Sequence, residues 1–174
     1  MNSIETEQER VQARTESLLI GHGIVVIVVA LIAGLFLAFH LVGGIKLWPL
    51  LDIDMSFAGS ERGWRGAHNG GLANGILLII IALTLSKITL TISQLRWVFW
   101  LFIGTAWGNT VFYWFGNFST NRGLAATDTV LGEADLYGVI AYIVVAPAMF
   151  MTFAGCWILA RQAFRSASDG RIGK

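Results

Sequence analysis

Gly66-Ala67-His68-Asn69-Gly70-Gly71-Leu72-Ala73-Asn74-Gly75-Ile76-Leu77-Leu78-Ile79-Ile80-Ile81 runs on through Ala82-Leu83-Thr84-Leu85-Ser86 without a charged side chain. About 20 such residues suffice for a helix to cross a hydrocarbon core. The six aliphatic residues Ile76–Ile81 do not alternate as a lipid-facing barrel strand would. A backbone in lipid must also satisfy its own hydrogen bonds, so the stretch is read as a helix. Three more stretches, 17–45, 97–121 and 136–160, likewise lack Asp, Glu, Lys and Arg. Four such gaps predict four spans.

The rest of the composition agrees. The 174 residues are 55% hydrophobic and only 13% charged, with a mean hydropathy of +0.66. That is too apolar for a water-soluble globule of one domain. The expected fold is therefore an all-α membrane protein, a four-transmembrane-helix bundle forming a single domain, with helices at about 17–42, 64–90, 95–118 and 136–162. The short link between the second and third helices makes them antiparallel neighbours. Pro147 is expected to kink the fourth.

Charge sets the expected orientation. One side of the four spans carries Arg10, Arg14, Lys87, Arg96, Arg161, Arg165, Arg171 and Lys174; the other carries Lys46, Arg62, Arg65 and Arg122. Both termini are thus expected in the cytoplasm. The start of the chain lacks the basic opening and cleavage site of a secretory signal, so the first helix is expected to stay in the mature protein. A net charge of +1 gives no basis for a nucleic-acid partner. Cys156 stands alone, which excludes a disulfide framework.

Polar side chains inside a span are costly and invite an account. In the second helix, Gly66/Gly70 and Gly71/Gly75 form two small-xxx-small pairs. These suit a close helix crossing, or else the approach of a flat cofactor to the backbone beside His68. In the third helix Thr105, Asn109, Tyr113 and Asn117 recur every four residues and form a polar stripe. Such a stripe either bonds a neighbouring helix or lines a site. Antiparallel pairing puts Asn74 level with Asn109 and Tyr113. Trp64, Trp107 and Trp114 flank this region, Trp64 at the position of an interfacial belt residue. The motifs of phosphate-binding loops, zinc proteases, serine hydrolases and dithiol redox proteins do not occur.

Gly21-His22-Gly23, Leu41-Val42-Gly43-Gly44, Gly63-Trp64-Arg65-Gly66-Ala67-His68-Asn69-Gly70 with Asn74-Gly75, Trp107-Gly108-Asn109 with Phe112-Tyr113, and Asn117-Phe118-Ser119-Thr120-Asn121-Arg122-Gly123-Leu124 follow one another in an order that resembles styrene oxide isomerases. The resemblance covers about two thirds of the chain. It implies an integral membrane isomerase of the bacterial cytoplasmic membrane, a homotrimer with ferric haem b between subunits. His68 would be the axial ligand of the haem iron. Asn74 and Tyr113 would hold an aryl epoxide, with Asn109 and Thr105 completing the candidate catalytic set. Gly71, Gly75 and Trp107 would line the cofactor pocket. An upstream epoxidase is an implied partner, and the membrane lipid an implied surrounding. Family members carry Asp where this chain has Thr105 and proline where it has Gly71; His40 lies outside the matched motifs.

Two other readings remain open from sequence. His40 and His68 together would suit a b-type electron carrier with bis-histidine ligation. A membrane scaffold without a cofactor would need neither.

Overall fold

The computed structural model describes residues 3–168. Four helices account for most of them: α1 Ser3–Val42, α2 Glu61–Leu85, α3 Ile92–Gly116 and α4 Leu136–Ser168. Between α1 and α2 the chain forms an antiparallel hairpin of β1 Gly44–Leu47 and β2 Leu51–Asp54, where a polar loop is expected from the sequence. Lys46 reaches across it to pair with Asp52 and Asp54. Those two hydrogen-bonded carboxylates hold the Lys46 ammonium above its ordinary range, and the Lys46 contact holds Asp54 below its own.

Among the described residues three helices are long and apolar enough to cross a membrane: Glu7–Val42 within α1, then α2 and α4. The 25-residue α3 matches α2 in length. Its Thr105, Trp107, Gly108, Asn109 and Thr110 dilute its hydropathy below that of the other three. α1 begins well before the expected residue 17, and α4 runs past 162. A gap in charge marks what can sit in hydrocarbon; a helix continues through charged residues wherever its side chains reach water.

Local signals set the inner boundaries. Ser60 caps α2, its Oγ accepting the Gly63 N–H at 3.0 Å. Thr91 and Gln94 form a reciprocal capping box at the start of α3, a device worth about 1 kcal/mol. Asp135 precedes α4 and accepts the Gly138 N–H at 2.7 Å. Burial alone would push its carboxyl up. Hydrogen bonds from the Gly138 and Thr120 N–H groups and the Ser119 and Thr120 hydroxyls outweigh that and hold it below the ordinary carboxylate range.

α1 packs along α2, and α3 along α4. At the first seam a Cβ added to Gly75 would lie 2.7 Å from the Gly23 carbonyl oxygen, and one added to Gly71 would lie 2.7 Å from the Ala30 Cβ. At the second seam Gly108 faces Ala148 and Gly155 faces the Phe102 ring. Leu19, Val26, Leu78, Leu85, Leu95, Val98 and Phe102 fill the shared core. The outward faces are apolar too: Leu31, Ile80, Leu83, Phe150, Phe153 and Trp157 are all more than half exposed. Contiguous apolar surface of this extent calls for lipid or another protein as its surroundings.

Candidate active site

α2 sorts the expected site residues onto opposite sides. His68 faces α1: its Nδ1 lies 2.9 Å from the Ala30 carbonyl oxygen, and its ring occupies the space a Cβ on Gly34 would need. A carbonyl can only accept, so Nδ1 carries the proton and Nε2 is left with a free lone pair. An imidazole oriented in this way by a backbone carbonyl is prepared for a metal at the other nitrogen.

Gly70 lies two residues further on, about 200° around the helix at 100° per residue. The Tyr113 ring of α3 packs on it, so closely that a Cβ there would meet the ring. Asn74, one turn along, has 7% of its surface exposed. Its Nδ2 donates to the Gly70 carbonyl at 2.7 Å, and its Oδ1 accepts from Asn109 Nδ2 at 3.1 Å. Asn74, Asn109 and Tyr113 therefore gather at the α2–α3 seam, at the common depth that antiparallel pairing requires. The Gly70 carbonyl, which can only accept, fixes which end of the Asn74 amide is which, and Asn74 in turn orients the Asn109 amide.

The polar stripe of α3 does not stay on one face. Each step of four residues advances about 40° beyond a full turn, so Thr105 and Tyr113 diverge by about 80°. Thr105 is buried against α4 instead, its hydroxyl 2.8 Å from the Leu101 carbonyl oxygen and 3.1 Å from Thr152 Oγ1. It is not brought to Asn74 and Tyr113. Asn117, at the other end of the stripe, accepts the Ser60 N–H through Oδ1 at 2.9 Å. Its Nδ2 is buried without a partner among the described residues, an arrangement that costs about 1–3 kcal/mol when nothing fills the gap.

The remaining expected pocket residues serve contacts within the chain. Gly71 and Gly75 are covered by α1, so their backbones are closed to a flat ligand, and the close-crossing reading accounts for them. Trp107 donates its Nε1–H to His22 Nδ1 at 3.1 Å, tying α3 to α1. Trp64 is 3% exposed rather than interfacial. It stacks on Phe36 at 5.0 Å and meets Trp114 edge-on. His40 lines a separate recess with Met55 and Phe57. It lies six residues beyond Gly34, about 9 Å further along α1 than the point where His68 packs. The two histidines therefore stand at different levels of α1.

The motif Asn117–Leu124 divides its labour. Asn121 is fully buried, donating to the Ala125 and Thr127 carbonyls and accepting the Gly123 N–H. It ties the loop. Asn117 and Arg122 instead line a cavity of about 240 Å³ with Arg62, Gly66, Phe112 and Tyr113. The sequence reading missed Arg62 and Arg122 as pocket residues; their signal was that they are two of the four cations on the side poor in basic residues.

Fold and site together define a class: a small helical membrane protein with polar side chains gathered where two of its helices meet. Residues 15–164 match the sequence model of the family described as Styrene oxide isomerase. A protein of Pseudomonas fluorescens named styrene-oxide isomerase is 32% identical over 152 residues, covering 86% of this chain and 88% of its relative. The chain belongs to the styrene oxide isomerase family.

Proposed function

We propose that the protein is a membrane-embedded isomerase that converts aryl epoxides such as styrene oxide to aldehydes, here phenylacetaldehyde, with haem b as its cofactor. The observation that carries the reading is the gathering of Asn74, Asn109 and Tyr113 at one seam in a member of this family. The donor set fits the cofactor: His68 presents Nε2 with its tautomer fixed by Ala30. Bound there, a ferric haem would supply Lewis-acid chemistry toward the epoxide oxygen.

The chain's own residues do the rest. Tyr113 and Asn74 orient the substrate oxygen by hydrogen bonds, and Asn109 holds the Asn74 amide in register. The aryl ring stabilises positive charge as the benzylic C–O bond breaks, and a hydride moves from the neighbouring carbon. Phe112 and the apolar helix faces keep water out, since water would capture the cation as a diol. No electron or proton enters or leaves overall.

His68 and Tyr113 sit on opposite sides of α2, which supports a homotrimer in which the His68 of one copy and the Asn74–Tyr113 face of the next share one cofactor. The family reading also favours α3 as a fourth span: it returns antiparallel from α2 and packs along α4. Both termini then lie in the cytoplasm of a bacterium, and an epoxidase upstream supplies the substrate.

Purified protein given styrene oxide without NADH or oxygen is expected to yield phenylacetaldehyde, read by gas chromatography. Diol alone, or no product from any aryl epoxide, would overturn the assignment.

A further inference from the structure

We propose that the recess between the start of α2 and the end of α3 is a carboxylate-binding subsite. Arg62, Arg122 and the Asn117 amide grip the propionate side chains of the cofactor there. The proposal rests on the haem reading and names which part of the chain holds the cofactor's polar edge.

Two adjoining cavities, of about 240 and 660 Å³, share Arg62, Gly63, Gly116, Asn117 and Arg122 in their walls. No Asp or Glu lines either of them. Among the described residues the ion pairs are Lys46 with Asp52 and Asp54, and Arg65 with Glu61. Arg62 and Arg122 therefore bring to one recess two cationic residues without an ion-pair partner among the described residues.

The buried amide is an independent pointer. Asn117 is 7% exposed, and the Ser60 N–H fixes its Oδ1, so Nδ2 is the end left without an acceptor. A Cβ on Gly59 would lie 2.5 Å from that nitrogen, so only glycine fits at 59 against the orphaned donor. Two forked cations and an unmet N–H donor form a donor-rich, cationic site, which matches carboxylate oxygens better than a neutral epoxide.

The opposite end of the recess is apolar, walled by Phe112, Leu124 and the ring of Tyr113. Gly66 has nothing within 4 Å of where its Cβ would stand, so the wall is open there. A ligand that fits is flat and apolar at one edge and doubly anionic at the other. Tyr113 belongs to both this recess and the Asn74 cluster, so the subsite continues the face assigned to the reaction.

An anionic lipid headgroup offers similar oxygen chemistry, and the test separates the two. Full-length protein purified without cofactor is titrated with haemin and with haemin dimethyl ester, whose carboxylates are capped, and binding is read from the Soret band. Wild type is expected to bind the ester at least about tenfold more weakly. Arg62→Gln with Arg122→Gln should weaken haemin by a similar factor and leave the ester unchanged. Asn117→Asp keeps the acceptor for Ser60 but puts an anion at the orphaned position, so it should also weaken haemin selectively. Equal affinity of wild type for the two ligands would overturn the subsite and leave the haem reading intact. Equal loss for both ligands in the arginine variant would assign the arginines a structural role and overturn it as well. If wild type bound neither ligand, the haem reading would fall with it. Haemin and ester bound alike, with phosphatidylglycerol retention lost in the arginine variant, would assign the recess to lipid and reject the proposal.

Discussion

On the α1 side of α2, Gly71 and Gly75 are pressed against Ala30 and the Gly23 carbonyl. On the α3 side Gly66 meets nothing, and Gly70 meets an aromatic ring. One residue type thus serves two purposes on a single helix. Toward α1 the missing side chain lets backbones touch, and the seam is dry and closed. Toward α3 it leaves clearance, and the space holds Asn74, Asn109 and Tyr113. A glycine repeat read from sequence gives its spacing but not its neighbour, and the neighbour decides whether it means packing or room.

The largest effect should come from breaking the closed seam. Gly75→Leu drives a side chain into backbone that cannot yield, at a cost of about 3 kcal/mol or more, and little folded protein should survive size-exclusion chromatography in detergent. His68→Ala tests whether the histidine on that seam also serves chemistry. The protein should stay folded while the Soret band of haem-supplemented preparations disappears. Tyr113→Phe strikes the open seam: turnover of styrene oxide should fall about 100-fold or more, with the unfolding temperature within a degree or two of wild type. Thr105→Val tests the α3–α4 contact, where interhelical hydrogen bonds in membranes average about 0.6 kcal/mol. A small loss of stability with activity within about twofold is expected from its position; a large loss of activity would place Thr105 in the reaction after all. Gly66→Ala should be the mildest, gaining up to about 1 kcal/mol of helix propensity in a thermal melt, because no atom waits where its methyl group goes.

The helices were legible because the absence of charge over 20 or more residues has few physical explanations. Their extents were less so: α1 is already helical at Ser3, the first described residue, because charged side chains that reach water let a helix continue beyond its apolar stretch. The common depth of Asn74 and Asn109 follows from antiparallel register; that they face and bond one another is what the structure adds. The fate of Thr105 does not follow from register, since a four-residue spacing looks like one face on paper and spirals by about 40° per step in space. Trp64 was misplaced for a similar reason. An aromatic residue at a span's end suits the interface, but Phe36 and Trp114 claim it for the interior. Arg62 and Arg122 lie 60 positions apart in sequence, and only the antiparallel closure of α2 on α3 brings them to one recess.

The Ala30 carbonyl that holds His68 bears on electron density. A carboxylate in its place could draw the Nδ1 proton toward itself and give the ring imidazolate character, which feeds electrons to a metal on the far nitrogen. A peptide carbonyl is a far weaker base and leaves the imidazole neutral. An iron at Nε2 would thereby stay electron-poor and would be a poor partner for cleaving an oxygen–oxygen bond, as thiolate-ligated haem does. The backbone of α1, through one hydrogen bond, would then steer the metal toward accepting a lone pair and away from oxidising whatever enters the chamber.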